Sequence, residues 1–145
     1  MDALTVRSAT ADDLDWLLAI DPVAAHNARR GRFLKLAVTE GRCEIGLIEG
    51  ERAAFAVWHR QFFSRPFLAL LVVAAAYRRR GIGTALVRHV IARAGEGDDF
   101  FISTNASNEA AQRMIEKLGF VRSGTIENID PGDPEWIYLL RPTEG

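Results

Sequence analysis

The chain has 145 residues, enough for one domain with a full hydrophobic core. Its 48% apolar and 26% charged content is that of an ordinary globule, and 18 Lys+Arg against 19 Asp+Glu leave a net charge of −1, which argues against a general nucleic-acid or anionic-membrane binder. The single cysteine, Cys43, excludes an internal disulfide; no segment resembles a signal peptide or membrane span, so a cytoplasmic location is expected.

Leu4 to Ser8 reads as a short opening strand. Thr10 with Asp13 has the form of a capping box, Asp standing in for Glu, and Leu14, Leu17 and Leu18 give the following helix its apolar face. Asp21-Pro22 breaks that helix. A second helix is expected from near Asn27 to Thr39, with Phe33, Leu34, Ala37 and Val38 turned inward and Gly41 as its stop. Its Arg29, Arg30, Arg32 and Lys35 are most simply a solvated basic face. Two antiparallel strands follow, Arg42 to Ile48 and Ala53 to Trp58, joined at Glu49-Gly50-Glu51. Cys43 alternates with Ile45 and Leu47 and so reads as a buried strand residue, not a nucleophile.

After Arg65-Pro66 comes the stretch around which the chain is organised. It begins as an unbroken apolar run from Leu68, which reads as a strand buried on both faces. It turns through Arg78-Arg79-Arg80-Gly81-Ile82-Gly83 and becomes a helix, with Ile82, Leu86 and Val90 on one face, running to about Ala94. A strand feeding a glycine turn that opens a helix is suited to phosphate. The first helical N–H groups lack intrahelical partners, the helix dipole adds partial positive charge, and glycine removes the Cβ that would keep an anion from the backbone. The arginines add charge and planar donors.

Two common phosphate fingerprints fail here. No lysine follows either glycine, as a mononucleotide P-loop requires. The third small residue of a dinucleotide fingerprint is replaced by Leu86, and no acidic ribose ligand is evident about twenty residues on. A nucleotide-binding domain therefore fits this turn poorly.

The loop Gly95-Glu96-Gly97-Asp98 leads to a strand at Phe100-Phe101-Ile102, and strand–helix–strand here implies a parallel pair with a right-handed crossover. Asn105 to Asn108 opens a helix whose Ala111, Met114, Ile115 and Leu118 form an apolar stripe, ended by Gly119. A final strand pair, Val121 to Glu127 and Glu135 to Leu140, flanks the turn-rich segment Asp130 to Pro134.

The turn resembles the acyl-CoA signature of the GNAT acyltransferase superfamily, [Q/R]-x-x-G-x-[G/A] after a hydrophobic strand, with Arg78, Gly81 and Gly83 at its defined positions. The segment from Asn105 to Phe120 resembles that superfamily's second block, and the order β-α-α-β-β-β-α-β-α-β-β is the same over nearly the whole chain. The resemblance implies an α/β (α+β) fold in one domain, residues 1–145, with a mixed central sheet of about six to seven strands, four helices and splayed parallel central strands. It implies acetyl-CoA as acyl donor and direct transfer to a primary amine of a small molecule or peptide N-terminus. Leu71, Val72 and Val73 would offer backbone groups to the cofactor's pantetheine arm. Backbone N–H groups of Arg79, Arg80, Gly81, Ile82, Gly83 and Thr84 would hold its pyrophosphate, with Arg78 at the Q/R position. Asn108 matches an asparagine that contacts the cofactor, and a helix N-cap is its equally good structural role.

Both usual proton-transfer positions depart from the pattern. Where many members have a tyrosine acid this chain has Ile115, and where some carry a glutamate base it has Ser103. The catalytic residues are thus unknown. Candidates are Tyr138, on the last strand, as an acid for the thiolate, and His59, just after the third strand, as a proton relay. Glu127, Asp130, Asp133 and Glu135 could attract a cationic amine or form a solvated acidic turn. Tyr77, Trp16, Trp58 and Trp136 read as packing residues, and His26 and His89 form no metal constellation. A non-catalytic acyl-CoA-binding module on the same fold is the alternative function. A homodimer through the last strands stays open, since these often pair between subunits in the superfamily.

Overall fold

The computed structural model describes residues 3–95 and 97–142. Of the loop expected at Gly95 to Asp98, Glu96 lies outside the described residues. Among the described residues the strands are β1 (Leu4–Ser8), β2 (Cys43–Ile48), β3 (Glu51–Phe62), β4 (Arg65–Val73), β5 (Phe100–Asn105), β6 (Val121–Ile126) and β7 (Glu135–Leu140). The α-helices are α1 (Leu14–Ile20), α2 (Ala28–Thr39), α3 (Ile82–Val90) and α4 (Glu109–Lys117). The strands form one mixed seven-stranded sheet in the order β1-β2-β3-β4-β5-β7-β6. No helix of the described residues is long and apolar enough to cross a membrane.

The chain forms two compact units, and β3 and β4 contribute to both. The first comprises residues 1–58 and 70–90. Its apolar core joins Leu17 of α1 and Leu34 and Ala37 of α2 to Cys43, Ile45, Phe55, Val57 and Val72 of the strands. Cys43 is fully buried, and desolvation pushes its thiol up to about 12, so it is inert in the native state. On the sheet, Gly46 permits a close approach: a Cβ there would lie 3.0 Å from Leu4 and 3.7 Å from Leu86 of α3.

Two buried carboxylates stabilise the helical part of this unit. Asp13 accepts from Arg7 at 2.7 and 2.9 Å, from Arg52 at 3.2 Å and from the Thr10 N–H at 2.8 Å. These donors, Arg7 first, hold it well below the usual carboxylate range. Asp21, at the break between α1 and α2, accepts from Arg30 at 2.9 and 3.1 Å and from the Val23 N–H at 3.0 Å. Arg30 is therefore no part of a solvated face. Its carboxylate partner lies beyond the Asp21-Pro22 break, out of reach of any helical spacing.

The second unit comprises residues 59–69 and 91–145. A single π-helical turn, Ile91–Gly95, follows α3, where the sequence suggested helix to about Ala94. β5 pairs parallel with β4 through Phe67↔Phe101 and Leu68↔Ile102, and antiparallel with β7 from Phe100↔Leu140 to Asn105↔Glu135. Phe100, Ile102, Ile115, Phe120 and Tyr138 are buried, and the rings of Phe100 and Phe120 meet edge to face at 6.3 Å. β6 lies at the sheet edge, exposed along its length, and a register shift between Arg122 and Gly124 interrupts its pairing with β7.

Three strand expectations need correction. β3 runs on to Phe62, so His59 sits within the strand and not after it. β4 starts at Arg65, because Phe63 and Ser64 make a two-residue hairpin loop with φ of 51° and 65°. β4 is not buried on both faces. Leu68 and Val72 are buried at 3% and 8% exposure, whereas Phe67, Ala69, Leu71 and Val73 on the alternate face are only half-buried.

Candidate functional site

The corner between β4 and α3 lies in the first unit. Ala74 ends the strand with its N–H on Ala53 O at 2.8 Å. Arg78 folds back, donating from Nε to the Val73 carbonyl at 3.2 Å, so the side chain at the Q/R position braces the strand end. Arg79 then adopts φ 65° and Gly81 φ 74°. A non-glycine residue in the left-handed region is strained, by about 1–3 kcal/mol, and such strain concentrates at functional sites. Arg80 lies over the Tyr77 ring at 5.5 Å. A Cβ on Gly81 would meet nothing within 4 Å, so the glycine leaves open space above the turn.

The first α-helical bond of α3 runs from Ala85 N–H to Gly81 O at 3.1 Å, so the N–H groups of Ile82, Gly83 and Thr84 precede it. The first turn of α3 has no acidic residue. Exposed arginines, an acid-free helix start and unobstructed backbone form a cradle that fits a pyrophosphate. Leu71, Val72 and Val73 sit at the end of β4 beside this turn, with Val72 in the core and its neighbours half-buried.

The remaining candidates lie in the second unit. Asn108 is exposed and caps α4, accepting from the Ala111 N–H at 3.1 Å. Ser103 is half-buried and pairs with Ile137, and Ile115 is buried at 1% exposure. Tyr138, also 1% exposed, carries a buried hydroxyl with no hydrogen-bond partner among the described residues, and its pKa is raised by burial. It does not stand on an open surface. His59 is half-buried, accepts at Nδ1 from the Gln61 N–H at 2.9 Å and leans on the Phe67 ring at 5.4 Å.

In the acidic loop between β6 and β7, which reads as a solvated turn or an amine lure, Asp130 and Asp133 also bind the residues that lead into α4: Asn105 donates to Asp130 at 2.9 Å, and the Ser107 hydroxyl to Asp133 at 2.6 Å. Sequence reasoning missed this lacing and the strain at Arg79. The turn-forming Asp-Pro-Gly-Asp-Pro run marks a loop but does not say what it fastens.

A mixed seven-stranded sheet with four α-helices, and an arginine- and glycine-containing turn where its fourth strand leads into α3, defines the fold class. Residues 11–120 match the family model described as the acetyltransferase (GNAT) family, and the chain belongs to that family. A GNAT-family acetyltransferase from Bacillus cereus is 34% identical, with a TM-score of 0.87 over 98% of this chain and 99% of that one. A 66-residue stretch is 42% identical to human N-alpha-acetyltransferase 30, covering 44% of this chain but only 18% of the human protein's length. A Salmonella typhimurium protein solved with its cofactor acetyl-CoA is 17% identical, with a TM-score of 0.75 over 99% of this chain and 96% of its own, and shares the fold.

Proposed function

We propose that the chain is an N-acetyltransferase that moves the acetyl group of acetyl-CoA directly to a primary amine. The observation that carries this reading is the β4–α3 turn, where arginines, a left-handed Arg79 and an unobstructed Gly81 open a helix free of acid in its first turn. In this reading the N–H groups of Arg79, Arg80, Gly81, Ile82, Gly83 and Thr84 hold the pyrophosphate. The backbone of Leu71 and Val72, with that of Val73 braced by Arg78, holds the pantetheine arm. The β4 residues with half-buried side chains suit that task, since a strand face not sealed by core leaves room for a ligand. Acetyl-CoA, when bound, supplies a thioester whose leaving thiol has a pKa of about 8.5 and needs little help from an acid.

The acceptor follows from what the site lacks. Only a neutral amine attacks, and Ser103 is too weak a base to take a proton from a lysine-like amine. At pH 7 roughly one in 2,500 such amines is neutral, from a pKa of about 10.4, against roughly one in seven α-amines, from a pKa of about 7.8. A site whose main contribution is holding amine and carbonyl at attack distance therefore suits an α-amine. The N-alpha-acetyltransferase stretch supports the same acceptor, at a peptide N-terminus or on a small molecule. Tyr138 and His59 stay in this reading as the side chains to test for proton transfer. The chain would work as a single domain in the cytoplasm, where its donor is available, and the exposed β6 edge is the surface on which a homodimer would form.

A second reading, a non-catalytic acyl-CoA-binding module, is favoured by the buried Ile115 and the buried Tyr138 hydroxyl. Thermal unfolding with acetyl-CoA, CoA, NAD and ATP in parallel tests the shared part. A ligand at a hundred times its Kd adds about 2.7 kcal/mol, several degrees in Tm for a domain of this size. Stabilisation by both CoA species alone is the expected result, and none by either at millimolar concentration sinks both readings. Turnover with a panel of α-amino and ε-amino peptides then separates enzyme from module.

A further inference from the structure

We propose that the β3–β4 hairpin tip of one copy of this chain docks on the β6–β7 loop of a second copy, in a two-fold pair with two such contacts. Both surfaces belong to the second unit. At the tip, Phe63 is 79% exposed and stands at φ 51°, and Ser64 follows at 65°. Two left-handed residues in a two-residue loop favour Asn and Gly, so the backbone gives no reason for a phenylalanine there. The ring does not hang loose. Phe62 meets it edge to face at 5.2 Å, and Phe62 is itself held by stacking on Phe67 at 4.8 Å and by Phe101 at 4.9 Å. A strained, braced and exposed aromatic ring is suited to anchor a partner.

Charge identifies the partner. No Asp or Glu occurs from residue 52 to residue 95. Arg60 is paired with Asp98, but Arg65, exposed beside the ring, donates to the Phe63 carbonyl at 2.8 Å and has no carboxylate partner among the described residues. The β6–β7 side is the reverse. Residues 121–130 are exposed without interruption, with Ile126 at 42% and Ile129 at 58%. Glu127 lies between these two isoleucines, and no Lys, Arg or His occurs from residue 123 to residue 140. One surface is thus an apolar knob beside a cation, and the other an apolar pair beside a carboxylate. Within one copy they lie at opposite ends of the same strands: β5 runs from Phe101, beside Phe67 near the tip, to Asn105, opposite Glu135 next to the loop. A two-fold axis that turns one copy end for end brings each tip to the other copy's loop. The inference is independent of acetyl-CoA, and it supplies a partner surface for the β6 side of a homodimer.

Sedimentation velocity of the full chain over a wide concentration range, with a thermal scan of each variant, tests this. The native protein should form a concentration-dependent dimer that salt loosens. Phe63→Asn suits the left-handed turn, so it should raise Tm by about 2–4 °C while weakening dimerisation about tenfold or more. Those opposite signs distinguish a docking ring from a structural one. Arg65→Glu and Glu127→Arg each set like charges across both contacts and should each weaken dimerisation about tenfold. An equimolar mixture of these two variants should dimerise as the native protein does, because every tip then faces a loop of opposite charge. A native protein that stays monomeric overturns the proposal, and so does growth into longer open chains, which denies the two-fold. Dimerisation of Phe63→Asn at native strength overturns it in favour of pairing along the β6 edge alone. A mixture no stronger than its single variants also overturns it. Should Phe63→Asn fail to fold, the two charge variants and their mixture decide.

Discussion

The corner from β4 into α3 and the corner from β5 into α4 share a plan of strand, short turn and helix, and each helix start carries the same partial positive charge. They differ in what answers that charge. The α4 start has Asn108 as its cap, Glu109 in its first turn, and Asp130 and Asp133 bonded to the residues before it. The α3 start has exposed arginines, no acid and a glycine with empty space over it. One helix end is answered by the protein's own carboxylates; the other has no acid in its first turn and, in the function proposed above, takes an anion from outside. A helix N-terminus is therefore not by itself a binding site; its surroundings decide whether the protein has already filled that role.

The largest test of this contrast is Gly81→Val. With φ at 74°, a β-branched residue is strained by about 1–3 kcal/mol, which should lower Tm by several degrees. Its side chain would also occupy the space that the glycine leaves open, and acetyl-CoA affinity should fall on the order of 100-fold, or about 2.7 kcal/mol. Calorimetry against a thermal scan separates the two. A loss of Tm with unchanged affinity would mean that the turn binds nothing.

A smaller effect comes from charge. Arg79→Glu should weaken acetyl-CoA binding roughly tenfold at low salt, with the gap to native closing as salt shortens the screening length. The matching change on the other corner, Glu109→Gln, removes a charge from an end that already has acid to spare and should change affinity by less than about threefold. Equal and opposite responses at the two corners would break the contrast and make both part of one diffuse field.

The β4–α3 corner was legible in the sequence because its information is local. Arg78, Gly81 and Gly83 are near neighbours, and the apolar run before them and the helical spacing after them fix the elements. The β5–α4 corner was only half legible. Asn108 announces a cap, but Ser107 meets Asp133 from 26 residues away, through a sheet pairing that no local pattern encodes. The same limit hid the Arg30–Asp21 pair, whose partners flank a helix break. The Phe63-Ser64 hairpin was missed for another reason: two left-handed residues usually ask for Gly, Asn or Asp, and neither position has one. The partly open face of β4 was misread because an unbroken apolar run says that a strand can be buried, not that something in the protein covers it.

The smallest effect expected is at Tyr138, which separates packing from chemistry in the second unit. Its hydroxyl is buried without a partner among the described residues, so Tyr138→Phe removes an unsatisfied polar group and should leave stability unchanged or raised by up to about 1 kcal/mol. The pH dependence has a definite sign. Burial raises the phenol pKa, so the unfolded chain ionises first, and native stability falls as pH rises from about 10 through the folded pKa. The phenylalanine variant should lack that part of the alkaline loss. On kcat/KM the expected change is less than about twofold, because a hydroxyl sealed in the core has no route to a leaving thiolate. A tenfold drop with stability unchanged would reverse that conclusion, giving Tyr138 the acid role that Ile115 cannot fill.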